Sequence, residues 1–219
     1  MIPLRALLYR NSFPVTTVAI IFLNIVCFLY ELSLPRYVEP AFMAAFAIVP
    51  DRFRETSLIT SMFLHGGWLH LIGNMWFLWI FGGYVEDRVG HIKFLIFYLI
   101  CGIASGVLQV VASSGSPVPT IGASGAIAGV MGAFLLLFPR ARIFTLIFLF
   151  IFFTTIEIPA SILLLYWFAL QVLGGLTSFG RITESAGGIA WFAHIGGFVA
   201  GMLLLRIFGA TAGRPRYGY

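Results

Sequence analysis

The chain reads as an all-α membrane protein, a bundle of six transmembrane helices with both termini in the cytoplasm. Three observations carry that reading. Hydrophobic residues make up 60% of its 219 positions and charged residues only 10%, whereas a soluble domain is roughly 45–50% apolar and about 25% charged. The apolar residues are gathered into runs close to the ~20 residues that a helix needs to cross a ~30 Å hydrocarbon layer. The basic residues punctuate those runs instead of clustering, so the net charge of +5 reads as membrane topology and excludes a nucleic-acid surface. A chain of this length holds one bundle: a single membrane domain over 1–219, with a core at about 15–208 and short basic tails.

The first run is Val15–Leu32. Arg5 and Arg10 before it imitate a signal peptide, but no small-residue cleavage site follows, so the run is a retained first helix. Trp68–Tyr84 and Phe94–Ala112 come next, and the turn-forming stretch Ser113–Pro119 separates them from Ser124–Pro139. Pro159–Thr177 and Gly187–Leu205 complete six. Ile143–Ile158 is apolar but only 16 residues long, rich in Phe, Ile and Thr, and closed by Pro159. A seventh span, an interfacial helix and a β-hairpin on the membrane surface all fit it. Charge decides the number of spans. Six spans put Arg5, Arg10, Arg88, Lys93, Arg140, Arg142, Arg206, Arg214 and Arg216 inside and Arg36, Arg52, Arg54 and Arg181 outside, nine against four. A seventh would send the last three of the inner set outside, against the positive-inside rule. Cys27 and Cys101 sit within apolar runs and read as packing residues.

Two polar residues stand out in these runs: Ser124 in Gly122-Ala123-Ser124-Gly125, and His194 in Ala193-His194-Ile195-Gly196-Gly197. A histidine at membrane depth is costly and marks function. A serine within reach of an imidazole is the smallest activated nucleophile. The fourth and sixth spans both run inwards. Ser124 lies 16 residues before Arg140 and His194 lies 12 before Arg206, roughly 24 and 18 Å from the inner surface at 1.5 Å per residue. Gly125 and Gly129 on one span, and Gly197 and Gly201 on the other, are spaced for close helix contact. His70 and Asn74, four apart on the second span, share a face and can donate to an oxyanion. Taken alone, Gly-Ala-Ser-Gly also serves packing, and His70 with Asn74 also serves as an interhelical clamp.

The acids are Glu31, Glu39, Asp51, Glu55, Glu86, Asp87, Glu157 and Glu184, and none lies mid-span near His194. This favours a dyad over a triad, with Glu184 a solvated loop charge. No intramembrane aspartate pair or His-Glu-x-x-His motif is present, so no metal and no cofactor is expected. Gly-x-Ser-Gly also departs from the nucleophile elbow of soluble hydrolases. His91 reads as an interfacial histidine, and His65 as a polar contact or an organiser of the first loop.

With His65-Gly66-Gly67-Trp68-Leu69-His70-Leu71-Ile72-Gly73-Asn74, Gly122-Ala123-Ser124-Gly125 and Ala193-His194-Ile195-Gly196-Gly197-Phe198-Val199-Ala200-Gly201 in this order, the chain resembles the rhomboid intramembrane serine proteases in their compact bacterial six-helix form. The resemblance covers roughly residues 15–208. It implies that Ser124 is the nucleophile and His194 the general base. It gives the oxyanion to His70, Asn74 and the backbone N–H of Ser124. Gly122 then lies in the loop that lets the site approach the substrate backbone, and with Ala123 it leaves little bulk beside the nucleophile. The Leu34–Ile59 connection resembles the family's first loop, partly in the outer leaflet. A mobile fifth helix maps to about Pro159–Thr177 and a cap loop to about Ser178–Ala186. The Ile143–Ile158 insertion is absent from the shortest members. The activity implied is cleavage, near the outer face of a bacterial plasma membrane, of membrane proteins whose spans contain helix-destabilising residues. The alternative is a rhomboid-fold binder of membrane helices that does not cut, but such proteins lack the serine or the histidine, and this chain keeps both. A transport path would need mid-membrane charges and an internal repeat, which the sequence lacks.

Overall fold

The computed structural model describes residues 1–149, 152–178 and 189–209. In chain order the elements are β1 (Ile2–Ala6), α1 (Val15–Ser33), α2 (Glu39–Phe46), α3 (Ser57–Thr60), α4 (Trp68–Val89), α5 (His91–Ala112), α6 (Ser124–Leu137), β2 (Arg142–Leu149), β3 (Phe152–Pro159), α7 (Ala160–Ser178) and α8 (Trp191–Phe208). Six long helices therefore correspond to the six apolar runs. Among the described residues four of them, α1, α5, α7 and α8, are long and apolar enough to cross a bilayer. The helix α4 has the length, at 22 residues, but carries Glu86-Asp87-Arg88 in its last turn. With 14 residues, α6 is the shortest of the six, about 21 Å at 1.5 Å per residue.

This short helix is the axis of the fold. Every residue from Gly125 to Leu135 is buried, because α6 is packed on by α4, α5 and α8. Its glycines make that crowding possible. A Cβ on Gly197 would overlap the carbonyl oxygen of Gly125, and one on Gly201 would overlap that of Gly129. The backbones of α6 and α8 thus touch directly, as small-xxx-small spacing allows. On its other side Gly125 leaves room for the Ser105 side chain and Gly129 for Cys101, both from α5. Away from the glycines the core is aromatic, with Phe81 and Phe134 edge to face at 5.0 Å and Phe94, Phe97 and Tyr98 fully buried.

The all-α expectation needs correction. Within Ile143–Ile158 the described residues form two antiparallel strands, registered from Ile143↔Ile158 to Leu149↔Phe152. Of the three conformations open to this stretch, the structure takes the strand. β-Branched and aromatic residues favour a pleated, half-buried surface, and 16 residues are short for a span. A lone hairpin is marginal, and a third strand stabilises it. That strand comes from the N-terminal stretch read from sequence as a basic tail: β1 pairs with β2 from Ile2↔Leu146 to Ala6↔Ile143, giving the order β1-β2-β3. The outer edge of β1 lies against α4. Trp76 Nε1 donates to the Pro3 carbonyl at 2.7 Å, and the Tyr84 hydroxyl lies within donating distance of the carbonyls of Ala6 and Leu8. Residues 150–151, residues 179–186 of the expected cap loop (with Arg181 and Glu184), Gly187, and Arg214 and Arg216 lie outside the described residues.

The far end of α4 holds the start of α1. Glu86, fully buried, accepts the backbone N–H groups of Thr16 and Thr17 at 2.8 Å and the Thr17 hydroxyl at 2.6 Å, and pairs with His91 Nδ1 at 2.5 Å. Asp87 accepts from the backbone N–H and side chains of Asn11 and Ser12. Pro14 precedes α1 without a capping side chain, so the Glu86 carboxylate supplies acceptors that the first turn of the helix requires, while Asp87 ties down the chain just before it.

Gly197→Ala and Gly201→Ala should each force α6 and α8 apart and lower stability by about 1–3 kcal/mol, the usual effect of overpacking. Gly73→Ala, where an added Cβ meets nothing within 4 Å, should leave stability unchanged or raised. Thermal unfolding in detergent measures all three.

Candidate active site

The strand of chain leading into α6 is pinned from below. Ile48 and Thr120 exchange backbone hydrogen bonds at 3.0 and 2.7 Å, and Gly122 N–H donates to the Ser61 carbonyl at 2.8 Å. Gly122 has φ +118°, in the left-handed region where only glycine is unstrained. The chain then turns through Ala123, and Ser124 opens the helix. No side chain caps this N-terminus, so its first N–H groups and the positive end of the helix dipole remain available beside the serine.

His194 lies in the first turn of α8. That turn is positioned by Gln109 of α5, whose Oε1 accepts the Ala193 N–H at 3.1 Å. The imidazole Nε2 is 2.8 Å from Ser124 Oγ. Its other nitrogen, Nδ1, is 2.8 Å from Oε1 of Gln171 on α7, and the Trp167 ring from the same helix packs over the imidazole at 5.6 Å, tilted 38°.

His70 and Asn74 project from one face of α4 towards Gly122. A Cβ added at Gly122 would come 2.7 Å from His70 Nε2 and 3.5 Å from Asn74 Nδ2, so both nitrogens border the turn before the serine. Gly66 N–H donates to His70 Nδ1 at 3.4 Å. An accepting Nδ1 leaves the proton on Nε2, which faces Gly122 as a donor. Asn74 is 8% exposed and, among the described residues, its Nδ2 has no hydrogen-bond partner. Buried donors are rarely left so. Ala123 is fully buried in the core cluster, so its methyl group adds no bulk beside Ser124, and Gly122 remains partly exposed. A cavity of ≈ 20 Å³ lies beside Ser124, with Ser61, Ser105, Thr120, Gly122 and Ala193 among its lining residues.

His65 is buried, and among the described residues neither ring nitrogen has a hydrogen-bond partner. Its backbone N–H donates to Glu31 of α1 at 3.2 Å, tying the first-loop exit to the first helix. His91 pairs with Glu86, far from the serine in sequence and at the other end of α4. Among the described residues no group of three or more His, Cys, Asp or Glu could hold a metal ion.

Sequence reasoning missed Gln109 and Gln171. The signal that could have found them is that each is the lone amide within an apolar span, where a polar side chain turns inwards to a partner.

Comparison with known proteins bears on this arrangement. The family described as "Rhomboid domain" matches residues 52–211, well over half of the chain. The rhomboid protease GluP of Bacillus subtilis is 44% identical over 78 residues, 36% of this chain and 15% of that protein. The RHOMBOID-like protein 5 of Arabidopsis thaliana is 29% identical over 162 residues, 74% of this chain and 46% of that protein. The mitochondrial rhomboid protein 1 of Saccharomyces cerevisiae is 36% identical over 98 residues, 43% and 28% respectively. The chain thus spans less than half the length of these relatives. With four apolar helices long enough to span a bilayer and a family match of this extent, the chain is a multi-pass membrane protein and belongs to the rhomboid family.

Proposed function

We propose that this protein is an intramembrane serine endopeptidase that cuts membrane-protein substrates near the outer face of a cell membrane, the plasma membrane of a bacterium. The observation that carries the proposal is the 2.8 Å approach of His194 Nε2 to Ser124 Oγ. In this reading all six long helices cross the bilayer with both termini in the cytoplasm, and the nine-to-four distribution of basic residues supports it. The short α6 then begins below the outer surface, and its first residue is the nucleophile.

In the reaction Ser124 Oγ attacks the carbonyl carbon of the scissile bond while Nε2 takes the hydroxyl proton. The carbonyl oxygen becomes an oxyanion. His70 Nε2–H, Asn74 Nδ2 and the Ser124 backbone N–H stabilise it, and the unpartnered state of Asn74 Nδ2 supports that role. The imidazolium passes its proton to the departing amine nitrogen. Water from the cavity beside Ser124, large enough for one molecule, then attacks the acyl-serine with His194 again as base. No metal or cofactor enters this sequence. Glycine at 122 keeps the approach to the serine open, since any Cβ there would fill the space in front of His70.

Ser124→Ala and His194→Ala should each abolish cleavage of single-span proteins in liposomes, and the double variant should be no worse than either, because the pair acts as a unit. A serine-directed phosphonate should label Ser124 only when His194 is present. A protein of this fold that binds helices without cutting would leave the phosphonate unreacted.

Asn74→Ala and His70→Ala should slow turnover by about 10²–10³, the usual loss for one oxyanion donor, with little change in substrate affinity. If they act only as an interhelical clamp, the unfolding temperature in detergent falls in step with activity.

An intact substrate helix hides its carbonyls in i→i−4 hydrogen bonds, so it must unwind locally, and glycine or proline near the cut eases that. Replacing an outer-leaflet Gly or Pro of a substrate span with Leu should suppress cleavage, while the same change in the inner leaflet should not. Equal sensitivity at both depths refutes this account of access.

A further inference from the structure

We infer that Gln171 is a positioning residue that fixes the tautomer of His194, so that the site works as a Ser–His–Gln relay spanning α6, α8 and α7. The inference rests on the proteolytic reading above. For His194 to act as base towards Ser124, Nε2 must be bare and Nδ1 must carry the proton. An isolated imidazole does not enforce this. Its neutral form has two tautomers, and the one with the proton on Nε2 offers the serine a donor in place of an acceptor.

The surroundings of Gln171 choose between them. Its amide is buried, at 6% exposure. Its Nε2 donates to the Trp167 carbonyl one turn earlier in α7 at 3.2 Å, a group that can only accept. The nitrogen end of the amide is thereby committed, and Oε1 is the atom turned to His194 Nδ1 at 2.8 Å. Flipping the amide would set Oε1 against the Trp167 carbonyl oxygen, two acceptors facing each other. Facing an acceptor, Nδ1 must be the protonated nitrogen, and Nε2 is left with its lone pair directed at Ser124 Oγ. Trp167 packs over the ring, which hinders rotation away from both partners.

A neutral amide suits this depth better than a carboxylate. It accepts the Nδ1–H equally in the neutral imidazole and in the imidazolium, so it serves both steps of the reaction. A carboxylate at the same place would be a buried charge whenever the imidazole is neutral, with a desolvation penalty of several kcal/mol. Gln171 therefore supplies what the absence of a mid-span acid near His194 leaves unprovided, without adding charge to the bundle.

The test uses the full-length protein in detergent or liposomes. Gln171→Met keeps the length of the side chain and removes the acceptor, whereas Gln171→Glu keeps an acceptor oxygen. Gln171→Met should lower kcat about 10–100-fold, the loss seen when a metal-bound histidine loses the partner that fixes its tautomer, with KM and unfolding temperature near those of the parent. Gln171→Glu should recover most of that loss, because a carboxyl buried at this depth stays neutral, its carbonyl oxygen still accepting the Nδ1–H and its hydroxyl donating to the Trp167 carbonyl. In protein labelled with ¹⁵N-histidine, the His194 resonances, assigned by difference from His194→Ala, should report Nδ1–H in the parent and a mixture or the Nε2–H form in Gln171→Met. An unchanged kcat in Gln171→Met, an equal fall in both variants, or an unchanged tautomer each overturns the inference. A parent that neither cleaves substrates nor reacts with the phosphonate overturns instead the proteolytic reading on which it rests.

Discussion

The backbone contact between α6 and α8 sets the geometry of everything around it. With Gly197 against the Gly125 carbonyl and Gly201 against the Gly129 carbonyl, the two helices approach more closely than side chains larger than glycine would permit. Ser124 and His194 sit at the same end of this seam, one residue before Gly125 and three before Gly197. Their 2.8 Å separation is therefore a property of the helix pair before it is a property of either side chain. The same closeness lets α5 reach α6 from the other side, with Ser105 seated against Gly125 and Cys101 against Gly129. A helix so crowded cannot shift to accommodate a substrate, and rigid elements hold reacting groups most accurately.

Around that seam the molecule obeys a second constraint: in lipid, polar groups must find partners within the protein. Gln109 meets the first turn of α8, Glu86 and Asp87 meet the start of α1, and Trp76 and Tyr84 meet the free carbonyls of β1. Each pairing draws on side chains distant in sequence. Among the described residues Asn74 Nδ2 is one of several buried polar atoms left without a partner, and it is the one that borders Gly122, where α6 begins without a side-chain cap. Unsatisfied donors gathered at one point have a physical use where negative charge develops during a reaction.

The long helices were legible because the bilayer writes its thickness into the sequence as runs of apolar residues. The seam was legible because glycines four apart have few other uses in such runs. Ile143–Ile158 was not, since a short stretch of Phe, Ile and Thr has no periodicity that separates a strand from a helix. Its partner strand was hidden more deeply: Ile2–Ala6 carries Pro3 and Arg5, which read as a tail until Trp76 and Tyr84 supply the acceptor-matching donors. Gln171 stayed silent for a different reason. A lone amide in an apolar run announces that it has a partner but not which one, and the register of α7 against α8 is a tertiary fact.

The uncapped start of α6 shows how stability and chemistry compete at one position. Ala123 occupies the N-cap, where Ser, Asp or Asn would stabilise the helix by about 1 kcal/mol through a side-chain acceptor. Such an acceptor would occupy the very N–H groups that face the site. It would also place oxygen lone pairs where the proposed reaction develops an oxyanion, turning attraction into repulsion. Alanine gives up the cap and sends its methyl group into the core. Gly122 before it adopts a conformation that only glycine holds without strain, and so leaves the space before His70 and Asn74 open. The helix is held by other means: eleven consecutive buried residues from Gly125 to Leu135 pack on α4, α5 and α8. Burial on three sides stabilises the element enough that its first turn can be left free for a ligand.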